Sequence, residues 1–577
     1  SYQFADALGR MVRIWDNPNH IDRRIFRTEY DPLHRPLATF VERGNQGEIC
    51  FAQTEYGETA PYAYLSNLRG QAYISRDQSG VMISKKFDFK GNPLLISRQL
   101  TIGYRRTINW MHPVTLESDV FETSTSYDAL NRPTRTTLPD GTLLRSTYNM
   151  GGYLEHLEAQ IKGQGNFKTF LKEQNYDAKG QKEWVKYGNG TITEYFYEAK
   201  TFRLRNLVTS NSTPNKLQDL HYTYDPAGNI MEVEDSAQSA YYYNNTLTVP
   251  KKQYTYDHLY RLIEATGREH AGNAGNNPAV PNHNDFSPVQ NLPSTNIQSA
   301  VSKYTQTYDY DSVGNIKLMK HQYGASGAGG WKREYDYHQD ARNQLKSTTI
   351  SGTTSLPFND YDVHGNMTKM PHLQALNWNF ADQLTAVQLQ PNSNGSFAYY
   401  NYDGSGQRVR KVITRGNKKR KERLYLGGLE RYQEYDLNGN VKKERWTLQI
   451  DDIAQVDTLT IDNSITISNP QPLIRYQYSD HLGSASLETN ELGAVISYEE
   501  YHPFGTTSYR SGSTENEVSM KRYKYVGKER DDETGLYYYG ARYYAAWLCR
   551  FVSVDPLATE RQWLNPYNYV QNNPINR

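Results

Sequence analysis

Metal binding, nucleophilic attack and phosphate binding each need residues at a characteristic spacing, and the chain offers starting material for all three. Its 14 histidines show no metal-ligand spacing with cysteines or carboxylates, and no His-Glu-x-x-His occurs. Cys50 and Cys549 are the two cysteines, too few for a disulfide framework, so two free thiols are expected. The run Gly324-Ala325-Ser326-Gly327-Ala328-Gly329-Gly330 lacks the Lys-Ser/Thr of a phosphate loop and reads as a flexible turn. No Gly-x-Ser-x-Gly elbow occurs. The basic run Lys418-Lys419-Arg420-Lys421-Glu422-Arg423 reads as a solvated hairpin tip after Gly416-Asn417 in preference to a nucleic-acid patch. Glu529, Asp531, Asp532 and Glu533 offer carboxylates, read here as decorating a turn. No cofactor or metal site is expected.

The elements that would position any site follow from composition and repetition. Lys and Arg number 64 against 63 Asp and Glu, a net charge of +1, which gives no electrostatic reason to favour nucleic acid or an anionic membrane. No apolar run approaches the ~20 residues of a membrane span. Only 37% of residues are hydrophobic, below the ~45–50% of ordinary globular chains. The 49 tyrosines, 17 phenylalanines and 8 tryptophans nevertheless argue against disorder. Tyr combines high strand propensity, an apolar ring and a polar tip. A chain so rich in it suits wide sheets with a wet face, or an enclosed polar cavity, better than a dense sandwich.

One unit recurs. It reads Tyr224-Asp225-Pro226-Ala227-Gly228-Asn229, Tyr310-Asp311-Ser312-Val313-Gly314-Asn315, Tyr361-Asp362-Val363-His364-Gly365-Asn366, Tyr402-Asp403-Gly404-Ser405-Gly406-Gln407 and Tyr435-Asp436-Leu437-Asn438-Gly439-Asn440. Tyr176-Asp177 with Gly180-Gln181 fits as well, and degenerate copies begin at Phe4, Tyr30, Phe87, Tyr127 and Tyr256. The aromatic closes a strand, Asp bonds the backbone two residues on, Gly takes positive φ, and an apolar residue opens the return strand. Copies lie roughly 30 to 50 residues apart, room for one or two hairpins each. Hairpins in series make one long antiparallel sheet that must curl or close, because open edges are a liability. An all-β spiral of antiparallel hairpin repeats is therefore expected. Residues 268–300, rich in Asn, Pro, Gly and Ser, read as a flexible insertion.

The C-terminal stretch carries a second set of motifs: Tyr501-His502-Pro503-Phe504-Gly505, Tyr525-Val526-Gly527-Lys528-Glu529, Glu533-Thr534-Gly535-Leu536-Tyr537-Tyr538-Tyr539-Gly540-Ala541-Arg542-Tyr543-Tyr544, Arg550-Phe551-Val552-Ser553-Val554-Asp555-Pro556, and Asn565-Pro566-Tyr567-Asn568-Tyr569 with Asn572-Asn573-Pro574. This stretch resembles the core segment of the Rhs/YD-repeat proteins, among them bacterial polymorphic toxins, the C component of insecticidal toxin complexes and, more distantly, teneurins. The resemblance implies a large hollow cocoon formed by residues 1–495 and closed by a core plug at 496–577. The cocoon would hold a C-terminal toxin and be secreted or delivered outside the cell. Its implied partners are the enclosed toxin, an N-terminal shell-completing region or B-type component, and a delivery apparatus.

The family core is often an aspartyl self-cleaving protease. On that resemblance Asp555 matches the aspartate of its Ser-x-Asp-Pro motif and Arg542 the arginine of its Arg-Tyr-Tyr motif. Two adjacent carboxylates would share a proton, one acting as acid while the other activates water. An adjacent Arg can hold one of them ionised. The family's second aspartate, in an Asp-Pro-x-Gly segment, is expected beyond Asn576-Arg577, and the opening Ser1-Tyr2-Gln3-Phe4 reads as that of a fragment or a processed product. Ala545-Ala546 and Cys549 stand where the family commonly has Asp-Pro and Gly. Two alternatives stay open: Arg542 and Asp555 as a purely structural pair, and an extracellular adhesion or carbohydrate-binding protein that stacks sugars on Tyr and Trp.

Overall fold

The computed structural model describes residues 2–576 except 17–19, 212–215, 244–245, 271–299, 325–328, 339–341, 351–354, 390–394, 466, 468–469 and 513–520. Among the described residues the regular structure is strand, interrupted by single 3-10 turns and by no α-helix. The all-β reading is observed.

The repeat unit shows why. In the turns opened by Asp177, Asp225, Asp311, Asp362, Asp403 and Asp436, one carboxylate oxygen accepts the N–H four residues on at 2.8–2.9 Å. In the turn at Asp311 the same oxygen also accepts the N–H two residues on, from Val313 at 3.0 Å. Gly228 and Gly314 take φ of 106° and 83°, which costs a glycine little. The degenerate copies keep the same carboxylate–N–H bond and vary the rest of the turn. His34, Asn131 and Tyr260 accept the positive φ, and Arg10, Arg35, Arg132 and Arg261 donate Nε to the second oxygen of Asp6, Asp31, Asp128 and Asp257 at 2.6–2.7 Å.

The tyrosine has a further duty. Its hydroxyl donates to a carbonyl on the preceding hairpin: Tyr30 to Met11, Tyr148 to Pro133, Tyr197 to Lys182, Tyr224 to Leu204, Tyr256 to Ile230, Tyr310 to Leu262, Tyr337 to Ile316 and Tyr402 to Leu384, at 2.6–3.0 Å. Each acceptor is the first residue of a strand. The ring thus packs as an apolar side chain while its tip stitches one hairpin to the last, which phenylalanine cannot do. Tyr224→Phe is expected to destabilise the protein by about 0.5–1.5 kcal/mol through loss of that bond, read as a lowered urea midpoint. A midpoint equal to wild type would make the stitch incidental.

Two compact units result. The first comprises residues 1–168, 376–448 and 457–472. Within it, consecutive strands pair antiparallel from Tyr2–Ala5 to Leu154–Gln160. A second meander runs from Leu384–Gln388 to Val441–Ile450. Leu100, Phe121, Val409 and Leu424 join the two in an apolar cluster. The basic run lies on strand Lys418–Leu426, directly after the Gly416-Asn417 turn. Glu422 within it is buried and accepts Arg410 Nε at 2.6 Å.

The second unit comprises residues 169–375, 449–456 and 473–577. Its antiparallel meander runs from Lys168–Tyr176 to Leu356–Pro357. A four-strand meander spans Leu473–Gly512, and four short strands form a small sheet between Glu529 and Phe551. The expected insertion starts later than residue 268. Arg268, Glu269 and His270 complete strand Leu262–His270, which pairs with Val301–Tyr310, because their side chains are buried; the rest of that stretch, 271–299, lies outside the described residues. Likewise strand Gly329–Tyr337 already includes the last two glycines of the Gly-rich run, whose residues 325–328 lie outside the described residues.

Candidate functional site

The C-terminal motifs converge. Pro503, Phe504 and Gly505 turn with their carbonyls facing three tyrosines: Tyr525 donates to Pro503 at 2.7 Å, Tyr544 to Phe504 at 2.8 Å and Tyr537 to Gly505 at 3.1 Å. Tyr544 stacks on Tyr569 at 4.3 Å, and Tyr539 and Phe551 close the cluster. Buried carbonyls need donors, and tyrosine supplies one without surrendering apolar area.

Arg542 leaves the turn between two strands of the small sheet and lies flat over Phe551, 3.7 Å from the ring centre. Its Nη2 is 3.1 Å from Asp555 Oδ2, and its Nη1 donates to the Pro566 carbonyl at 3.3 Å. That same carbonyl accepts the Asp555 N–H at 3.0 Å. The other carboxylate oxygen of Asp555 accepts the Leu557 N–H at 2.9 Å. Arg and Asp from two motifs are therefore locked together through the Asn565-Pro566 segment of a third. Burial lowers the proton affinity of Arg542, an effect that Asp555 opposes. Asp555 keeps a quarter of its side chain exposed, so solvent reaches it.

Two of the other carboxylates named from the sequence, Glu529 and Asp532, face arginines, and Asp531 closes a turn through its backbone. Glu529 pairs with Arg522 at 2.9 Å, Asp532 lies 3.9 Å from Arg530, and the Asp531 carbonyl caps the turn at Thr534 and Gly535. Both cysteines are free and buried. Cys549 has φ of 58°, a left-handed conformation that suits glycine. Burial pushes its thiol up to about 12, which keeps it un-ionised and unreactive.

Sequence reasoning missed how the Asn-rich end is held. Asn573 donates to Asn229 Oδ1 at 3.2 Å, Asn572 to the Gly314 carbonyl at 2.8 Å, Asn565 to Asn315 Oδ1, and Tyr567 to the Gly365 carbonyl at 2.7 Å. Every acceptor sits at the tip of a Tyr-Asp-x-x-Gly-Asn turn. The Gly-Asn pair of the repeat thus both closes its own turn and presents an acceptor, a signal visible only as an Asn more constant than the turn alone demands.

No protein-family model matches the chain. Toxin subunit YenC2 of Yersinia entomophaga is 32% identical over 96% of this chain and 58% of its own length. Toxin subunit YenC1 of the same organism is 32% identical over 88% of this chain and 52% of its own. The crystal structure of TcdB2-TccC3 superposes with a TM-score of 0.86 and 28% identity, covering 100% of this chain and 28% of that one. The chain belongs to the Rhs/YD-repeat family. It spans about half the length of the curated relatives it matches. The kinship of this Rhs chain is with toxin-related shell proteins, and its antiparallel sheets are those of the TcdB2-TccC3 fold. A more distant relative, the tRNA nuclease WapA of Bacillus subtilis, is 28% identical over 46% of this chain and 10% of its own length. No helix among the described residues is long and apolar enough to cross a membrane.

Proposed function

We propose that the chain is the shell of a toxin-delivery protein, residues 1–495 enclosing a toxic cargo that follows a core at 496–577, with Asp555 and Arg542 forming half of a self-cleaving aspartyl site. Its partners are the enclosed cargo, a B-type component or N-terminal region that completes the shell, and an apparatus that delivers the assembly outside the producing cell. The observation that carries the reading is the docking of residues 565–573 on successive repeat turns. This arrangement seats the core on the repeats and leaves Asp555 fixed by Arg542 yet solvent-accessible. The names of the relatives support it: both YenC1 and YenC2 are toxin subunits longer than this chain, and one similar structure is TcdB2-TccC3 without its hypervariable C-terminal region.

The test is protease protection of the natural reading frame continued past Arg577. An enclosed tail is expected to resist a non-specific protease while the shell is folded and to be digested once the shell is unfolded. A tail digested at the rate of the same tail expressed alone would refute encapsulation.

A further inference from the structure

Outside the Asp555 region, the second unit buries a cluster of which only His502 belongs to the C-terminal motifs. Glu269 ends strand Leu262–His270, His321 lies on strand Ile316–Tyr323, and His502 follows strand Val495–Tyr501. One ligand atom from each lies within 4.8 Å of the other two. Glu269 Oε1 is 3.0 Å from His321 Nε2, and Glu269 Oε2 is 3.5 Å from His502 Nε2. The three side chains are 1%, 3% and 9% exposed.

The hydrogen-bond accounting leaves a gap at the centre. His502 Nδ1 pairs with the Thr506 hydroxyl at 3.0 Å; in the tautomer whose Nδ1 donates to that hydroxyl, Nε2 carries a free lone pair. That Nε2 and Glu269 Oε2 are both buried and face each other at 3.5 Å, longer than a well-formed hydrogen bond. Two lone pairs confronted in a dry interior are costly unless a cation or proton lies between them. On the other side, His321 Nδ1 meets the Gln306 amide at 3.1 Å, and the amide's far end meets the Tyr308 hydroxyl at 2.6 Å. A hydroxyl both donates and accepts, so the amide can turn its oxygen to Nδ1–H and free the His321 Nε2 lone pair as well. Such an outer partner is the usual support of a metal-binding imidazole. Trp331 stacks on His321 at 5.2 Å and Tyr304 packs on His502 at 4.7 Å, shielding the cluster from solvent.

We infer that Glu269, His321 and His502 bind a divalent transition-metal ion of the zinc class. Two imidazoles and one carboxylate suit zinc, at about 2.0–2.2 Å from each donor atom, which places the ligand atoms about 3.3–3.5 Å from one another around a tetrahedral ion. The distances of 3.0 and 3.5 Å, one to each carboxylate oxygen, lie close to that spacing, and all three ligand atoms fall within 4.8 Å of one another. The ion would tie the strand that precedes residue 271 to the Tyr501-His502-Pro503 turn.

The experiment uses the whole chain, stripped with EDTA, loaded with Zn²⁺ or Co²⁺ and freed of excess by gel filtration. Wild type is expected to retain about one equivalent of either ion per chain, to show a visible Co²⁺ ligand-field band, and to melt at a higher temperature with Zn²⁺ than without, since an ion bound by the folded state stabilises it. Glu269→Gln and His502→Ala are expected to lose the ion, and His112→Ala, at an exposed position, to keep it. Uptake by wild type well short of one equivalent, or His502→Ala binding as wild type does, would overturn the assignment. The Co²⁺ band of wild type decides the matter even if a variant fails to fold.

Discussion

A chain continued through its natural reading frame past Arg577 is expected to separate into shell and tail, whereas the same chain carrying Asp555→Asn stays whole. An aspartyl site needs one carboxylate to take a proton from water while its partner gives one to the leaving amine. Asn is nearly isosteric with Asp but cannot take the proton. It can still accept from the Leu557 N–H, so the loop following Asp555 should hold. The loss of one acid–base group slows such steps about 10²–10⁴-fold, enough to turn complete cutting into none on a preparative timescale. Intact mass reads both outcomes. In the proposed mechanism Arg542 is a positioning residue, through its contacts with Asp555 and the Pro566 carbonyl. Arg542→Gln should therefore slow cutting less than Asp555→Asn and alter its pH profile. Cutting by Asp555→Asn at the wild-type rate would reduce the pair to a structural clasp.

The second large effect is expected at Glu499. Its carboxylate is buried between Lys521 at 3.2 Å and Lys524 at 3.5 Å and accepts the Thr507 hydroxyl at 2.7 Å. Burial alone would raise its proton affinity, but Lys524 and Lys521 more than reverse this and bring the group down to about 2. An acid whose folded value lies below its unfolded value of about 4.3 contributes stability that is complete above that value. The contribution is lost as pH falls from there toward 2, and amounts to about 3 kcal/mol in all. The lowered proton affinity of Lys524, caused first by burial, does not touch this window, because the lysine is protonated in both states under acid. Glu499→Gln removes the anion and leaves two buried ammonium groups, at a cost of about 3–5 kcal/mol at neutral pH. Urea midpoints at neutral and acid pH should show the variant much weaker than wild type at neutral pH, with the gap narrowing below pH 4. A constant gap would place the loss in packing.

Much of this was legible in advance, for reasons local to the chain. Asp225, Gly228 and Asn229 form a turn within six residues, so spacing alone announces it. The turn at Asp480 uses the same device, with Asp480 accepting the Ser484 N–H at 2.8 Å, but its spacing does not announce it because Ser479 stands where the tyrosine is expected. The tyrosine stitches were invisible because their reach, from Tyr224 back to Leu204 or from Tyr310 back to Leu262, follows hairpin length and not a fixed interval. Asp555 and Arg542 were legible only through family resemblance, since nothing in two residues 13 apart in the sequence predicts a 3.1 Å contact. Glu269 and His321 are 52 residues apart, with His502 further still, so no ligand motif could reveal them. Cys549 is the reverse case. It departs from glycine in sequence while its backbone keeps glycine's conformation.

The seating of Asn565, Tyr567, Asn572 and Asn573 on turn tips at Asn315, Gly365, Gly314 and Asn229 has a consequence for synthesis. Those tips exist only once their hairpins have folded, and each was made hundreds of residues earlier on the ribosome. Nascent chains fold from the N-terminus onward, so the core finds its seats ready only behind a repeat array that has folded in register. A chain whose array has misfolded offers no seats, and its Asp555 is never brought against a finished platform. The asparagines can thus dock only after the earlier hairpins have folded, which orders the two events in time.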